Sequence, residues 1–164
     1  TFVIPEPVIP ETGGRVMGLN DPTVKMSKSH SHIRGHAIRM LDEPDEIQRS
    51  FMRAVTDSGN EIRFSDDVEK SGVNNLLGIY KVITGKSEIE VEKDFEDARG
   101  YGDLKKAVAE VVIDELAPIR EKYQELMSDV GELDRLLRVG AEQAESVALP
   151  KLAEMKEKMG LIVS

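Results

Sequence analysis

The pattern of apolar and polar positions divides the chain near residue 42. Before this point, apolar residues come in short runs separated by prolines, glycines and polar turns, which favours extended segments and loops. Beyond it, apolar residues recur every three or four positions, as they do on one face of a helix. We therefore predict a strand-and-loop segment over residues 1–41 and a helical domain over residues 42–164.

The N-terminal segment contains one short candidate strand. Prolines within residues 1–12 exclude a helix or a central strand, so an extended segment is expected there. Gly13-Gly14 predicts a turn, the apolar run at 15–19 a short strand, and the residues at 20–22 a second turn. A loop rich in serine and histidine is expected over residues 25–35.

Three short helices are predicted at the start of the helical part. Acidic residues and a proline at 42–44 favour a helix start, with apolar residues every four positions up to Val55 on its buried face. A second helix is predicted over residues 73–84. Ser87 and Glu90 have the spacing of a capping box, which predicts the start of a third.

Longer helices are predicted in the second half of the chain. The longest starts after Gly102 and should be kinked at Pro118, because the proline ring removes a backbone donor at a cost of about 3 kcal/mol. A short helix is expected to end at Gly140, and a last helix to continue to residue 159 with an interruption at Pro150. The sequence therefore predicts a mainly α protein, a bundle of five or six helices after the strand-and-loop segment.

Composition narrows the possible functions. The 164 residues include 40% apolar, 32% charged and only 4% aromatic residues, which suits a helical, well-solvated protein. The net charge of -9 argues against a general nucleic-acid binder but leaves room for a local basic face. The absence of cysteine excludes disulfides, thiol nucleophiles and thiolate metal sites. No apolar run approaches the roughly 20 residues of a membrane span, and no signal peptide is recognisable, so a cytoplasmic protein is expected.

Two lysines in the loop carry the most specific chemistry. Lys25 and Lys28 lie three positions apart, so both ammonium groups could contact one polyphosphate. There they would stabilise the charge that develops on a leaving pyrophosphate. Ser27 and Ser29 could add donors, and Met26 could dock the loop on an apolar surface. The alternative is a solvated basic loop without a ligand.

Three histidines follow the lysines, at His30, His32 and His36. Their spacing allows two of them to approach one metal ion. However, neither carboxylates nor cysteines accompany them at the spacing that a structural zinc site needs. A polar hinge is the simpler interpretation, and no metal site is predicted.

Other charged groups have mainly structural interpretations. The acidic pairs Asp42-Glu43 and Asp66-Asp67 could be acid–base partners but lie at turns or helix starts, where carboxylates favour the helix dipole. The glycines match neither GxGxxG nor GxxxxGK[ST]. Basic residues could form either an RNA-binding face or a solvated helix surface: Lys105, Lys106, Arg120, Lys122, Arg135 and Arg138.

Residues 25–29 match the KMSKS signature of class I aminoacyl-tRNA synthetases. Further blocks, in the same order, resemble bacterial tryptophanyl-tRNA synthetases: GRVMGLNDPT at 14–23, AVTDS at 54–58, NLLGIY at 75–80, GYG at 100–102, and the closing run at 140–161. The resemblance extends over nearly the whole chain. The related tyrosyl enzymes usually alter the centre of the signature and do not share the later blocks.

The resemblance implies a fold and a division of the chain. Residues 1–41 would be the end of a Rossmann-type catalytic domain carrying the KMSKS loop, and residues 42–164 a helical anticodon-binding domain. The family's HIGH-like motif and tryptophan pocket precede the KMSKS loop and have no counterpart in this sequence. The chain alone is therefore expected to be inactive.

The resemblance also implies a reaction and its residues. The family activates tryptophan with ATP and Mg²⁺ to the adenylate, transfers it to tRNA(Trp), and works as a homodimer. Lys25 and Lys28 would be catalytic and stabilise the pyrophosphate. ATP contacts would come from Val16, through its backbone near the adenine, and from Lys25, Met26, Ser27, Lys28 and Ser29. His30 stands where an acidic residue often follows the signature, which is a departure from the family pattern.

Two alternatives stay open at this point. The chain could be a helical interaction module whose lysine loop is merely solvated. Within the synthetases, the amino acid could be tyrosine, since the pocket that selects it is not in this sequence.

Overall fold

The structure, a computed structural model, describes residues 2–10, 13–30 and 32–161. Parts of the predicted extended segment, loop and helical domain lie outside it, namely Thr1, Glu11, Thr12, Ser31 and residues 162–164. The described chain is mainly α, which confirms the predicted class. It contains five α-helices, α1 Pro44–Met52, α2 Ser71–Thr84, α3 Glu88–Asp94, α4 Tyr101–Ser128 and α5 Val130–Lys158, and 3₁₀ turns at Lys28–His30 and Val68–Lys70.

The chain forms two compact units. One is Ile9–Arg120, and the other combines Thr1–Val8 with Glu121–Ser164. The predicted boundary between a catalytic part and a helical part, at residue 42, falls within the first unit and stays a prediction.

The first unit has a continuous apolar core to which α1–α4 contribute. The side chains of Ile47, Phe51, Leu77 and Leu104 are buried there. Leu19, from the segment before the helices, is only 1% exposed and belongs to the same core. Burial of a leucine contributes about 1.5–3 kcal/mol, so this anchor ties the N-terminal segment firmly to the helices.

The strand predicted over residues 15–19 is reduced to an isolated antiparallel bridge between Met17 and Lys25. Two backbone hydrogen bonds flank this pair, from Gly18 N to Val24 O at 2.8 Å and from Met26 N to Val16 O at 3.0 Å. On its other edge, the segment contacts a side chain of α2.

Helix starts agree with the capping signals. Pro44 lies in the first turn of α1, where Glu43 and Glu46 form a capping box. Ser87 and Glu90 form the predicted box at the start of α3. The prediction for Val55 was wrong, since α1 ends at Met52 and the Val55 side chain is 45% exposed.

Helix α4 begins at Tyr101 and continues through Pro118, so Gly102 lies inside it rather than before it. The proline leaves a carbonyl one turn earlier without a backbone donor. In the same turn, the Arg120 guanidinium donates a 3.3 Å hydrogen bond to Ile113 O. Ile113 directly precedes Asp114, whose carbonyl is the one that Pro118 leaves without a backbone donor.

The predicted ends of the last helices were wrong. A single helix, α5, includes both Gly140 and Pro150. Asp129 is its N-cap and accepts a hydrogen bond of 2.9 Å from Glu132 N. One glycine in a helix interior costs only about 1 kcal/mol, so the surrounding helix-forming residues carry the helix through Gly140.

Candidate functional site

The KMSKS segment follows a tight turn and is fixed to it through its backbone. Asp21 starts this turn and accepts hydrogen bonds from Thr23 Oγ1 at 2.6 Å and from Thr23 N at 3.0 Å. These bonds, the side-chain one first, lower the pKa of the Asp21 carboxyl. The chain then reverses so that Lys25 pairs with Met17. The signature therefore begins in a defined turn.

The two lysines of the signature are both exposed. Lys25 lies in the bridge, and Lys28 begins the 3₁₀ turn Lys28–His30. Within the described ranges, neither ammonium group has a carboxylate partner within ion-pair distance. The structure thus places both predicted catalytic side chains on one short segment with their charges accessible.

The other signature residues differ in exposure. Met26 is half-buried and packs against the core, as the docking interpretation predicts. Ser27 is half-buried, and its Oγ lies 3.3 Å from His30 Nδ1. Ser29 is exposed, and its carbonyl lies 3.0 Å from His32 Nδ1.

Val16 is joined to the signature through its backbone. Its carbonyl accepts the hydrogen bond from Met26 N at 3.0 Å. Val16 and Met26 also line an open groove of about 600 Å³ with apolar residues of α2 and α4, including Ile79 and Leu116. Val16, the proposed adenine contact, and Met26 of the signature therefore line the same groove.

His36 is a site residue whose role the sequence pattern did not reveal. Its side chain is only 2% exposed, with Nδ1 2.7 Å from Asn20 Oδ1 and Nε2 3.4 Å from Lys25 O. The rings of His30 and His36 meet edge to face, with centroids 5.4 Å apart. The histidines therefore connect the signature to the turn before it.

The hinge interpretation of the three histidines and the expected absence of a metal site both stay predictions. In the described part of the chain, no group of three histidine, aspartate or glutamate side chains is placed to hold a metal ion. The spacing of the histidines gave no indication that His36 is buried.

An arginine-lined pocket is formed by the loop after the signature, by α1 and by Arg53 at the end of α1, and the carboxylates of Asp42 and Glu46 also line it. Its volume is about 210 Å³. Arg39 pairs with Asp42 at 2.8 Å, whereas Arg34, Arg49 and Arg53 have no carboxylate partner within ion-pair distance among the residues described. We call these three residues and Arg39 the arginine pocket. It is a local concentration of positive charge on an acidic chain.

The basic residues singled out as a possible RNA face are largely engaged otherwise. Lys106, Lys122 and Arg135 form pairs with glutamates on their own helices, at 3.9, 2.8 and 2.6 Å. Burial lowers the pKa of Lys105. The choice between a solvated helix surface and an RNA-binding face stays a prediction.

The acidic residues have structural roles. Asp42 is buried and accepts hydrogen bonds from the backbone and side chain of Arg39 at 2.9 and 2.8 Å. Asp67 caps the turn Val68–Lys70. Neither contacts the KMSKS segment, so the acid–base interpretation finds no support in their hydrogen bonds.

A polar network that the pattern did not predict joins two of the sequence blocks. Tyr101 donates to Asp57 Oδ1 at 2.5 Å, and Lys70 Nζ lies 3.3 Å from Asp57 Oδ2. The hydrogen bond from Tyr101 is the main reason that the pKa of Asp57 is lowered. The network fixes the loop after α1 to the start of α4.

No helix among the described residues is both long enough and apolar enough to span a membrane.

Comparison with known proteins adds independent evidence. A tryptophan–tRNA ligase of Caldanaerobacter subterraneus is 50% identical over 163 residues, which cover 99% of this chain and 48% of the relative. The crystal structure of tryptophanyl-tRNA synthetase from Mycoplasma pneumoniae superposes with a TM-score of 0.79 at 30% identity, covering 93% of this chain and 45% of that one. The Campylobacter jejuni enzyme complexed with ADP and tryptophan gives a TM-score of 0.64 at 27% identity, covering 90% and 44%.

The chain spans about half the length of the curated relatives it matches. Its residues 1–117 match the family described as tRNA synthetases class I (W and Y). The KMSKS segment in its turn, the exposed lysine pair and the helical part all agree with this match, and the chain belongs to that family of class I tRNA synthetases.

Proposed function

We propose that this chain supplies the KMSKS half of a tryptophan–tRNA ligase. The observation that carries the proposal is the segment Lys25–Ser29, in which both lysines are exposed and lack a described ion-pair partner. The relatives that match nearly the whole chain are tryptophan–tRNA ligases, which favours tryptophan over tyrosine as the amino acid. A module without catalytic chemistry would not require this signature.

The lysine pair accounts for the first step of the reaction. When the carboxylate of tryptophan attacks the α-phosphate of ATP, the bond to pyrophosphate breaks and negative charge grows on the leaving group. Lys25 and Lys28 present two positive charges to it. Because that charge is largest late in the reaction, the lysines stabilise the transition state more than bound ATP.

The residues present fit the phosphates of ATP rather than a protein-held metal. Two unpaired ammonium groups and the hydroxyls of Ser27 and Ser29 are donors to phosphate oxygens. Since the described part of the chain contains no metal-binding cluster, we propose that Mg²⁺ arrives with ATP, bound by the phosphates. The backbone of Val16 would contact the adenine.

The partners follow from the same proposal. tRNA(Trp) would contact the arginine pocket through its phosphates, and residues 42–164 would include the anticodon-binding surface. We also propose a cytoplasmic homodimer for the whole enzyme. The chain alone would form no adenylate, since the tryptophan pocket and HIGH-like motif have no counterpart in it.

A chimera tests this function. This chain would replace the aligned 163 residues of the Caldanaerobacter subterraneus ligase, and tryptophan-dependent exchange between ATP and pyrophosphate would be measured. We expect exchange by the chimera and none by the chain alone. A chimera that is folded and dimeric but inactive would overturn the proposal.

A further inference from the structure

The side chain of Asn75 in α2 binds the backbone of Met17 at both of its polar groups. Met17 N donates to Asn75 Oδ1 at 2.9 Å, and Asn75 Nδ2 donates to Met17 O at 2.9 Å. These two residues are 58 positions apart in the chain. A primary amide satisfies both backbone groups because it carries a donor and an acceptor side by side.

This contact takes the place of a neighbouring β-strand. One edge of the Met17 segment pairs with the signature, through the bonds from Gly18 N to Val24 O and from Met26 N to Val16 O. The other edge, where a further strand would bind in a sheet, is occupied by the Asn75 amide. The segment between Val16 and Gly18 is therefore held from both sides.

We infer that Asn75 is a positioning residue for the ATP site, and this inference rests on the proposed function. It fixes the backbone at Met17, next to the proposed adenine contact at Val16. Through the bond from Met26 N to Val16 O, it also fixes the start of the KMSKS segment relative to α2. The adenine and pyrophosphate ends of ATP thereby share one rigid support.

The preceding residue provides a matched control within the same helix. Asn74 makes an equivalent pair of bonds to Ser65, with Ser65 N donating to Oδ1 at 3.1 Å and Nδ2 donating to Ser65 O at 2.5 Å. Ser65 lies in the loop between α1 and α2, which contains no signature residue. Asn74→Ala therefore removes the same interactions without releasing Met17.

The first experiment compares N75A and N74A in the chimera by single-turnover adenylate formation. Both variants should lose similar stability, because both lose two hydrogen bonds to backbone groups. Only N75A should slow adenylate formation, by roughly tenfold to a hundredfold, as small misplacements of reacting groups do. N75A should also raise KM for ATP while leaving KM for tryptophan unchanged.

The isosteric variant N75D tests whether the amide group of Asn75 is needed, because aspartate keeps the volume of the side chain and loses the NH₂ donor. A carboxylate keeps the acceptor for Met17 N but places negative charge against Met17 O, so N75D should be as slow as N75A. Equal rates for N75A and N74A, or full activity of N75D, would overturn the inference. If the unsubstituted chimera is inactive, the proposed function fails instead.

The second experiment needs no activity and uses the chain itself. Amide hydrogen exchange, followed by NMR, should accelerate at Met17, Gly18 and Met26 in N75A. In N74A it should accelerate at Ser65 and remain unchanged at those three amides. Unchanged protection at Met17 and Met26 in N75A would refute the positioning role even if the chimera were never active.

Discussion

Gly18 lies so close to His36 that a Cβ atom on the glycine would be 2.2 Å from Cε1 and 2.5 Å from Nδ1 of the imidazole. Gly18→Ala must therefore displace a buried ring and break its contact with Asn20. We expect a loss of about 1–3 kcal/mol in the free energy of unfolding, as for other overpacked sites. Urea denaturation measures it.

The double variant G18A/H36A tests whether the clash with the His36 ring causes the loss of stability in G18A. Removing the imidazole removes the clash, so the alanine at position 18 should cost much less in the H36A background than alone. Additive losses would show that the clash does not explain the effect of G18A.

Substitution by alanine at two glycines of α2 is expected to change the stability of the chain in opposite directions. A Cβ atom on Gly72 would lie 2.1 Å from Val55 O, whereas Gly78 has no atom within 4 Å of that position. Val55 cannot retreat freely, because its N–H is bonded to Leu19 O at 2.7 Å. Gly72→Ala should destabilise the chain by about 1–3 kcal/mol, and Gly78→Ala should stabilise it by about 0.5–1 kcal/mol.

Thermal and urea denaturation of both variants would check the pair. Helix propensity alone favours alanine at both positions, so it cannot produce opposite signs. Equal stability of G72A and G78A would contradict the close packing of α2 against the backbone at Val55.

The parts of this structure that the sequence predicted are those fixed by local chemistry. The capping box of Ser87 and Glu90 and the proline at position 44 give correct helix starts because each acts within one turn. Gly140 misled the prediction, since glycine weakens a helix without ending it. The KMSKS segment could be recognised because its chemistry lies in consecutive residues.

The parts that could not be predicted depend on residues distant in sequence. The candidate strand at Met17 pairs on one edge with an amide side chain 58 positions away, which no strand pattern encodes. His36 cannot be distinguished by residue type or spacing from His30, which is half-buried, or from His32, which is exposed. Its burial depends on Gly18 leaving room for the ring.

The contact between Tyr101 and Asp57 should make stability depend on acid pH. Hydrogen bonding from Tyr101 lowers the pKa of the folded carboxyl below its ordinary value of 3.8. The carboxylate therefore stabilises the fold above about pH 4, and this contribution is lost as the pH falls through the lower, folded pKa. A carboxyl group titrates roughly between pH 5 and pH 2. Over this range, the free energy of unfolding should fall less steeply in Tyr101→Phe than in the unsubstituted chain.

Urea denaturation at several pH values would compare Y101F with the unsubstituted chain. At neutral pH, Y101F should also cost about 1–3 kcal/mol, because the half-buried carboxylate of Asp57 loses one of its donors. Tyr123→Phe is a suitable control, since the Tyr123 side chain is 45% exposed and has no hydrogen bond to a carboxylate among the described residues. An identical pH dependence in Y101F would exclude Tyr101 as the cause.

Loss of one signature lysine should affect the reaction and not the fold. In the chimera, Lys28→Ala is expected to slow adenylate formation roughly 10²–10³-fold, as removal of one preorganised charge-stabilising donor does. Lys28 is exposed and has no described ion-pair partner, so the free energy of unfolding should not change. Lys93→Ala, another exposed lysine, controls for net charge. A decrease of less than about threefold would remove Lys28 from the mechanism.

The arginine pocket should contribute to binding of tRNA(Trp) through phosphates. Arg49 and Arg53 line it without a described carboxylate partner, whereas Arg135 is already held by Glu132 at 2.6 Å. The double variant R49A/R53A should weaken binding to the chain at low salt. It should also reduce the slope of log Kd against log salt by about one to two units, since each phosphate contact releases about one counterion.

Fluorescence titration at several salt concentrations measures both the affinity and the slope, with R135A expected to leave the slope unchanged. Equal slopes for R49A/R53A and R135A would show that tRNA does not contact the arginine pocket.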